Sequence, residues 1–301
     1  DGAEDRVDGL LVHYMADQLN AITGGRIQLQ MYFNGSMGTD TELCESTQAG
    51  DVAFFLGSTA FTANFVPELN AIDLPFLYQD AQQFRDTMDD ETVFHFYEEK
   101  YQDKGFELIG FFDQGMRQMT SNIKVQSPDD MQGQKIRVME NQLHISIWQA
   151  LGANPTPMAF SEVYMALQQG TIDAQENAAD TCASTNFQEV QKYLACTNHI
   201  LYANQLSMNK EKYDSLDPAY QEAINQAVAE AIEEMKSQMV ESDETNKQTL
   251  VDGGMTLIEY DDAFFQEILA LDTVQALYDK IDADVNGLGT TLQEELAAAQ
   301  G

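Results

Sequence analysis

Positive charge is what this chain lacks most: 15 lysines and arginines stand against 50 aspartates and glutamates, a formal net charge of −35 over 301 residues. Nucleic acids and anionic membrane surfaces require basic patches, so both are excluded as partners. Cysteine is scarce too. Cys44, Cys182 and Cys196 show no CxxC or other zinc-like spacing, and an odd number cannot complete a disulfide framework. Buried free thiols are expected, with a Cys182–Cys196 bridge as the alternative. The four histidines, His13, His95, His144 and His199, are scattered without a metal-ligand pattern, and no GxSxG, P-loop or HExxH sequence occurs. Neither a metal nor a cofactor is expected, and nothing positive points to catalysis. No apolar run approaches a membrane span, and no signal peptide is read at Asp1, where the chain starts directly in an amphipathic helical pattern. Internal repeats and low-complexity linkers are missing as well.

What is present is material for a large core. A hydrophobic content of 44% over this length suffices for two α/β lobes. The coarse order is a helix to about residue 22, strand 26–33, helix 40–49, strand 51–56, and a long helical run over 81–104. Strands at 106–112 and 116–121 follow, and Ser127-Pro128 with Gly133 brackets a short helical turn. A strand at 198–208 precedes Asp217-Pro218, a cap and first-turn pair for one long helix reaching about residue 250, with a strand at 255–258 and acidic helices last.

Residues 135–177 are the most informative segment. Positions 135–138 alternate polar and apolar as a short strand, Leu143, Ile147 and Leu151 recur at helical spacing, and Gly152 ends that helix. Pro155 and Pro157 force an extended connector, Ser161 can cap a second helix that Gly170 closes, and 171–175 reads as another strand. This βαβ-like alternation implies a partly parallel sheet, with Arg137 and residues 175–177 at the ligand-binding carboxyl ends of their strands. A fixed guanidinium there suits an organic acid, because its fork donates two parallel charge-assisted hydrogen bonds to a carboxylate.

The segment resembles the carboxylate-recognition core of the solute-binding proteins of tripartite ATP-independent periplasmic (TRAP) transporters, which include C4-dicarboxylate and sialic-acid binders. GGRIQLQMYFNGSMGTDTE, AIDLPFLYQD, GMRQMTSN and FQEVQKYLACTNHILYANQLSMNKEKYDSL extend the similarity over roughly residues 5 to 220. The resemblance implies a periplasmic-binding-protein-like α/β fold with two lobes, a cleft between them and a long helix bracing both. Lobe I would comprise 1–114 with 203–242, and lobe II 115–202 with 243–301. It also implies a periplasmic, monomeric receptor that closes on its ligand and delivers it to membrane permease subunits. The family carries a strand before the first helix that is not found in this chain.

By the same resemblance Arg137 clamps the carboxylate, Arg117 is a second ligand-side arginine, Asn177 hydrogen-bonds the same acid group, and Phe160 packs on the ligand's apolar side. Asp40, His199 and Gln205 match positions that line the family's cleft, while Glu176 supports its strand end. Glu140 can accept from a ligand hydroxyl or amine, or pair with Arg117. Gly57 and Ala60 stand where sialic-acid binders carry a glutamate and an arginine, which points to a smaller acid: a C4-dicarboxylate, a hydroxy or keto acid, or a sugar acid. Phe54, Phe55, Phe61 and Phe65 read as core or as a dry wall of the distal pocket, and Trp148 as buried. An enzyme of carboxylate metabolism, with Arg137 as clamp and Glu140 or His199 as general base, is the alternative function. The charge of −35 suits a salt-rich source, where a Debye length of roughly 3 Å at 1 M leaves local arginines to govern anion binding.

Overall fold

The computed structural model describes residues 3, 4 and 6–299; the expected start at Asp1 lies outside them. Helix α1 (Val7–Ile22) turns Leu11, Met15 and Leu19 inward at helical spacing. Helix α2 (Asp40–Ala49) opens on a capping box, in which Thr39 Oγ1 accepts from the Glu42 N–H and the Glu42 carboxylate accepts from the Thr39 N–H. Strand β1 (Phe54–Ser58) and the single turn α3 (Thr59–Thr62) lead to α4 (Ala81–Asp89), α5 (Glu91–Gln102) and the long strand β2 (Phe106–Met116). The helix expected over 81–104 is thus two. Asp90 adopts an extended backbone and its carboxylate accepts from the N–H groups of Thr92 and Val93, ending one helix while capping the next.

Past Arg117 the chain enters a second sheet with β3 (Gln118–Ser121), β4 (Lys135–Val138), α6 (Gln142–Ala150), β5 (Asn154–Pro157) and α7 (Phe160–Gln169). Strand β6 (Ala174–Asn177), α8 (Ala179–Ser184) and β7 (Tyr193–Ala195) complete that excursion, and β8 (Leu201–Asn209) returns to the first sheet. Then come α9 (Lys210–Asp214), the 35-residue α10 (Pro218–Asp252), β9 (Thr256–Ile258), α11 (Asp262–Leu269), α12 (Asp272–Asp284) and α13 (Leu288–Ala299).

The two sheets define two lobes. One is antiparallel, in the order β1-β8-β2; the other is mixed, in the order β5-β4-β6-β3-β7-β9. At the crossing, the Arg117 N–H donates to the Ile200 carbonyl at 2.8 Å, so the outgoing and returning strands are bonded to each other. Helix α10 braces both lobes: Ala223, Ala227 and Ala231 pack beside α1 and β2, while Leu250 packs with Cys182 and Phe187 of the second lobe. Asp217 caps it through the Ala219 N–H, with Pro218 in the first turn, as the sequence predicts.

The expected strand over 26–33 does not form. Half-buried Ile27, Leu29, Met31 and Phe33 alternate with exposed Gln28, Gln30 and Tyr32, which is the strand pattern, but the segment joins no sheet. An apolar cavity of about 420 Å³ is lined by this segment, by β1 and by Val12 and Met15 of α1. All three cysteines are buried and free, so Cys182 and Cys196 form no bridge. Trp148 is fully buried on α6. No helix among the described residues is long and apolar enough to cross a membrane.

Candidate ligand-binding site between the lobes

Strands β4 and β6 run parallel with Arg137 opposite Gln175, so Arg137 and Asn177 emerge near the same sheet edge. There they meet a cavity. Arg137, Met139, Phe160, Asn177 and Thr181 form its wall on the second lobe, and Arg6, Asp8, Asp40, Ser58, Tyr202 and Asn204 face them from the first. Gly57 and Phe61 line it as well.

Arg137 is 1% exposed. Its Nε and Nη2 donate to the Met158 carbonyl at 3.0 and 2.8 Å, and its Cζ lies 5.8 Å from the Phe160 ring centre. No carboxylate pairs with it among the described residues. The other three buried arginines each have one: Arg85 bonds Asp113 through two nitrogens, Arg117 bonds Glu176, and Arg6 lies near Asp8 and Asp180. Burial pushes the Arg137 pKa down to about 10, a drop opposed by Glu176 and deepened by Arg117. A buried cation without a counter-ion is costly, and a bound anion would relieve that cost.

Arg117 is placed differently from the sequence expectation. It is fully buried behind the cavity wall, with Nη2 donating to the Glu176 carbonyl at 2.8 Å and to Glu176 Oε1 at 2.9 Å. Its guanidinium lies 4.4 Å from the ring centre of Tyr202, which does line the cavity, so Arg117 supports the wall from behind. Glu176 also bonds His199 Nε2 at 3.0 Å, and His199 Nδ1 bonds Thr197 Oγ1 at 2.8 Å. Burial acts to raise the Glu176 pKa, but Arg117 and His199 outweigh it and hold the carboxyl well below its ordinary range. Burial likewise lowers the His199 pKa, against the opposing pull of Glu176. His199 therefore belongs to a sealed network rather than to the cavity wall.

Gln205 is also sealed, donating to Thr62 Oγ1 at 3.1 Å from the middle of β8. Glu140 corrects the expectation most plainly: it follows β4 on the exposed surface, outside the cavity, with its backbone carbonyl accepting from Asn64. Neither proposed general base reaches the cavity. Asp40, Phe160, Asn177 and Arg137 do line it, and Asn177 Nδ2 donates to Gln175 Oε1 at 2.9 Å, which fixes the amide plane. Of the four phenylalanines, Phe61 reaches the cavity, while Phe55 packs with Cys44, Ala60, Phe61 and Met139. Sequence reasoning missed Arg6, Asp8, Ser58, Thr181, Tyr202 and Asn204. One signal for Arg6 was available, its rarity, since the chain has only five arginines.

A two-lobed fold with an anion-ready cavity matches what comparison with known proteins finds. The family described as bacterial extracellular solute-binding protein, family 7 (DctP) matches residues 3–284. The chain belongs to this family. A solute-binding protein of Verminephrobacter eiseniae is 33% identical over 300 residues, covering 99% of this chain and 87% of that protein. A TRAP periplasmic solute-binding protein from Chromohalobacter salexigens, solved with bound D-glucuronate, superposes with a TM-score of 0.92 at 27% identity, covering 97% of each chain. Another from a Sulfitobacter species, with bound β-D-galacturonate, gives 0.90 at 29% identity, covering 97% of this chain and 96% of that one. The family-7 fold thus accounts for the two sheets, the crossing at Arg117 and the bracing helix.

Proposed function

We propose that this family-7 protein is the extracytoplasmic receptor of a TRAP transporter, binding a small organic acid between its lobes and presenting it to the membrane permease in a closed state. The observation that carries this reading is Arg137, a buried, cleft-lining guanidinium whose counter-charge is missing among the described residues. A ligand carboxylate supplies that charge, and Asn177 adds an amide beside it.

The ligand class follows from the opposite wall. Asp8, Asp40, Ser58, Tyr202 and Asn204 offer oxygen and nitrogen groups to the hydroxyls of a ligand. A sugar acid fits this better than a C4-dicarboxylate, in line with the uronates bound by the two similar structures. Within this reading the lobes comprise 1–114 with 203–242 and 115–202 with 243–301, the protein works as a periplasmic monomer, and hinge bending about the crossing strands provides closure.

A thermal-shift panel of sugar acids, C4-dicarboxylates and keto acids tests the reading. Uronates or aldonates raise the melting temperature, and their neutral alcohols do not. A panel in which no acid shifts the transition, or catalytic turnover of any of them, would refute it.

A further inference from the structure

No motif singles out Arg6, yet it stands where the lobes meet. It immediately precedes α1 on the first lobe and faces Asp180, in the first turn of α8 on the second; both side chains are buried. Arg6 Nη2 donates to Gln114 Oε1 at 3.0 Å, near the end of β2 just before the chain crosses between lobes. Its Nε lies 3.5 Å from Asp8 Oδ1 and 3.6 Å from Asp180 Oδ2. Neither Nε nor Asp180 Oδ2 has a hydrogen-bond partner among the described residues, although both atoms are buried. Such orphans are costly, and 3.6 Å is too long for a charge-assisted hydrogen bond and too short to admit a bridging water.

Arg6 is also a partition. One side of it walls the ligand cavity; the other walls a polar crevice of about 370 Å³ between α1, α8 and α10, lined further by Gln238, Ser242 and Asn246. Asp180 does not itself line the ligand cavity.

We propose that Arg6 and Asp180 form the latch of the ligand-loaded state: an acid seated between Arg137 and Arg6 draws α1 and α8 together, and the Nε–Oδ2 gap of 3.6 Å closes to a hydrogen bond that slows release. The inference rests on the receptor reading above. A movement of less than about 1 Å is enough to form the bond. Arg6 thereby couples cavity occupancy to lobe closure, and Asp180, which acts only through it, is a positioning residue.

Stopped-flow release of D-glucuronate and D-galacturonate from wild type, Arg6→Gln, Asp180→Asn and the double variant tests the latch. Asp180→Asn is expected to speed release by roughly tenfold or more, with association within about twofold of wild type, since losing one partner of a buried charge pair acts on dissociation; Arg6→Gln speeds release at least as much, because it also removes a cation from the cavity wall. The double variant should release no faster than the faster single one. Wild-type release from Asp180→Asn, or effects that multiply in the double variant, would overturn the proposal. If neither uronate binds wild type, the sugar-acid reading fails, and the latch is decided by spin labels at exposed Lys104→Cys and Gln169→Cys, one on each lobe, measured with whichever acid of the thermal-shift panel stabilises wild type. The latch predicts a longer, broader interlobe distance in both single variants than in wild type at saturation with that acid; an unchanged distribution rejects it.

Discussion

At the scale of single residues, the four buried arginines divide by their counter-charges. Arg85 and Arg117 are bonded to carboxylates and serve the fold, whereas Arg137 has a carbonyl and an aromatic ring beside it but no acid. This gives a prediction about the empty protein. Arg137→Met removes an unpaired buried charge, so the ligand-free variant should be as stable as wild type or more stable, by up to about 3 kcal/mol, the equivalent of the burial-driven drop to about 10. Urea unfolding followed through the single tryptophan, Trp148, measures it, and a large loss of stability would show Arg137 to be structural. His199 makes a second prediction. Its folded pKa lies below the ordinary 6.5, so between those two values the unfolded chain binds more protons than the folded one. Stability therefore falls as pH drops below about 6.5, and His199→Gln should flatten that part of the curve. An unchanged slope would mean that His199 does not titrate with unfolding.

At the scale of elements, the core of the sequence reading survives because its signals are local. The alternation over 135–138, the helix closed before Gly152 and the Asp217-Pro218 start each depend on neighbours a few residues away, and β4, α6 and α10 form accordingly. The strand over 26–33 failed for the opposite reason. Its alternation is real, but a strand also needs a bonding partner, which residue pattern alone does not supply. Arg117 and Glu176 show the same limit among site residues: they lie 59 positions apart, so nothing local reveals that one neutralises the other. Glu140 sits two residues past the clamp strand's Val138 and looked ligand-facing, yet the chain turns there and points it to solvent. Gly57 on β1 gives an element-scale prediction. A Cβ there would lie 2.5 Å from the Phe55 ring, which packs in the cluster beneath the cavity. Gly57→Ala should therefore displace Phe55 and cost about 1–3 kcal/mol, read from the thermal transition, with weaker acid binding alongside. A variant of wild-type stability and affinity would mean that the ring moves freely.

At the scale of the whole molecule, a receptor for anions carries 35 excess negative charges, so its overall field opposes its own ligand at low ionic strength. Salt resolves the conflict by shortening the reach of the surface charges to roughly 3 Å at 1 M while leaving buried Arg137 largely unscreened. The melting temperature should accordingly rise as KCl increases toward molar concentration, and association of an acid should quicken with it. A melting temperature indifferent to salt would mark an ordinary acidic periplasmic protein instead. The central claim, that the lobes close on an acid held by Arg137, is tested most directly by isothermal titration of D-glucuronate and D-galacturonate into wild type and Arg137→Ala. The account predicts saturable one-to-one binding to wild type and a loss of at least about 2 kcal/mol, some thirtyfold in affinity, in the variant. Equal affinity in the two proteins would contradict it.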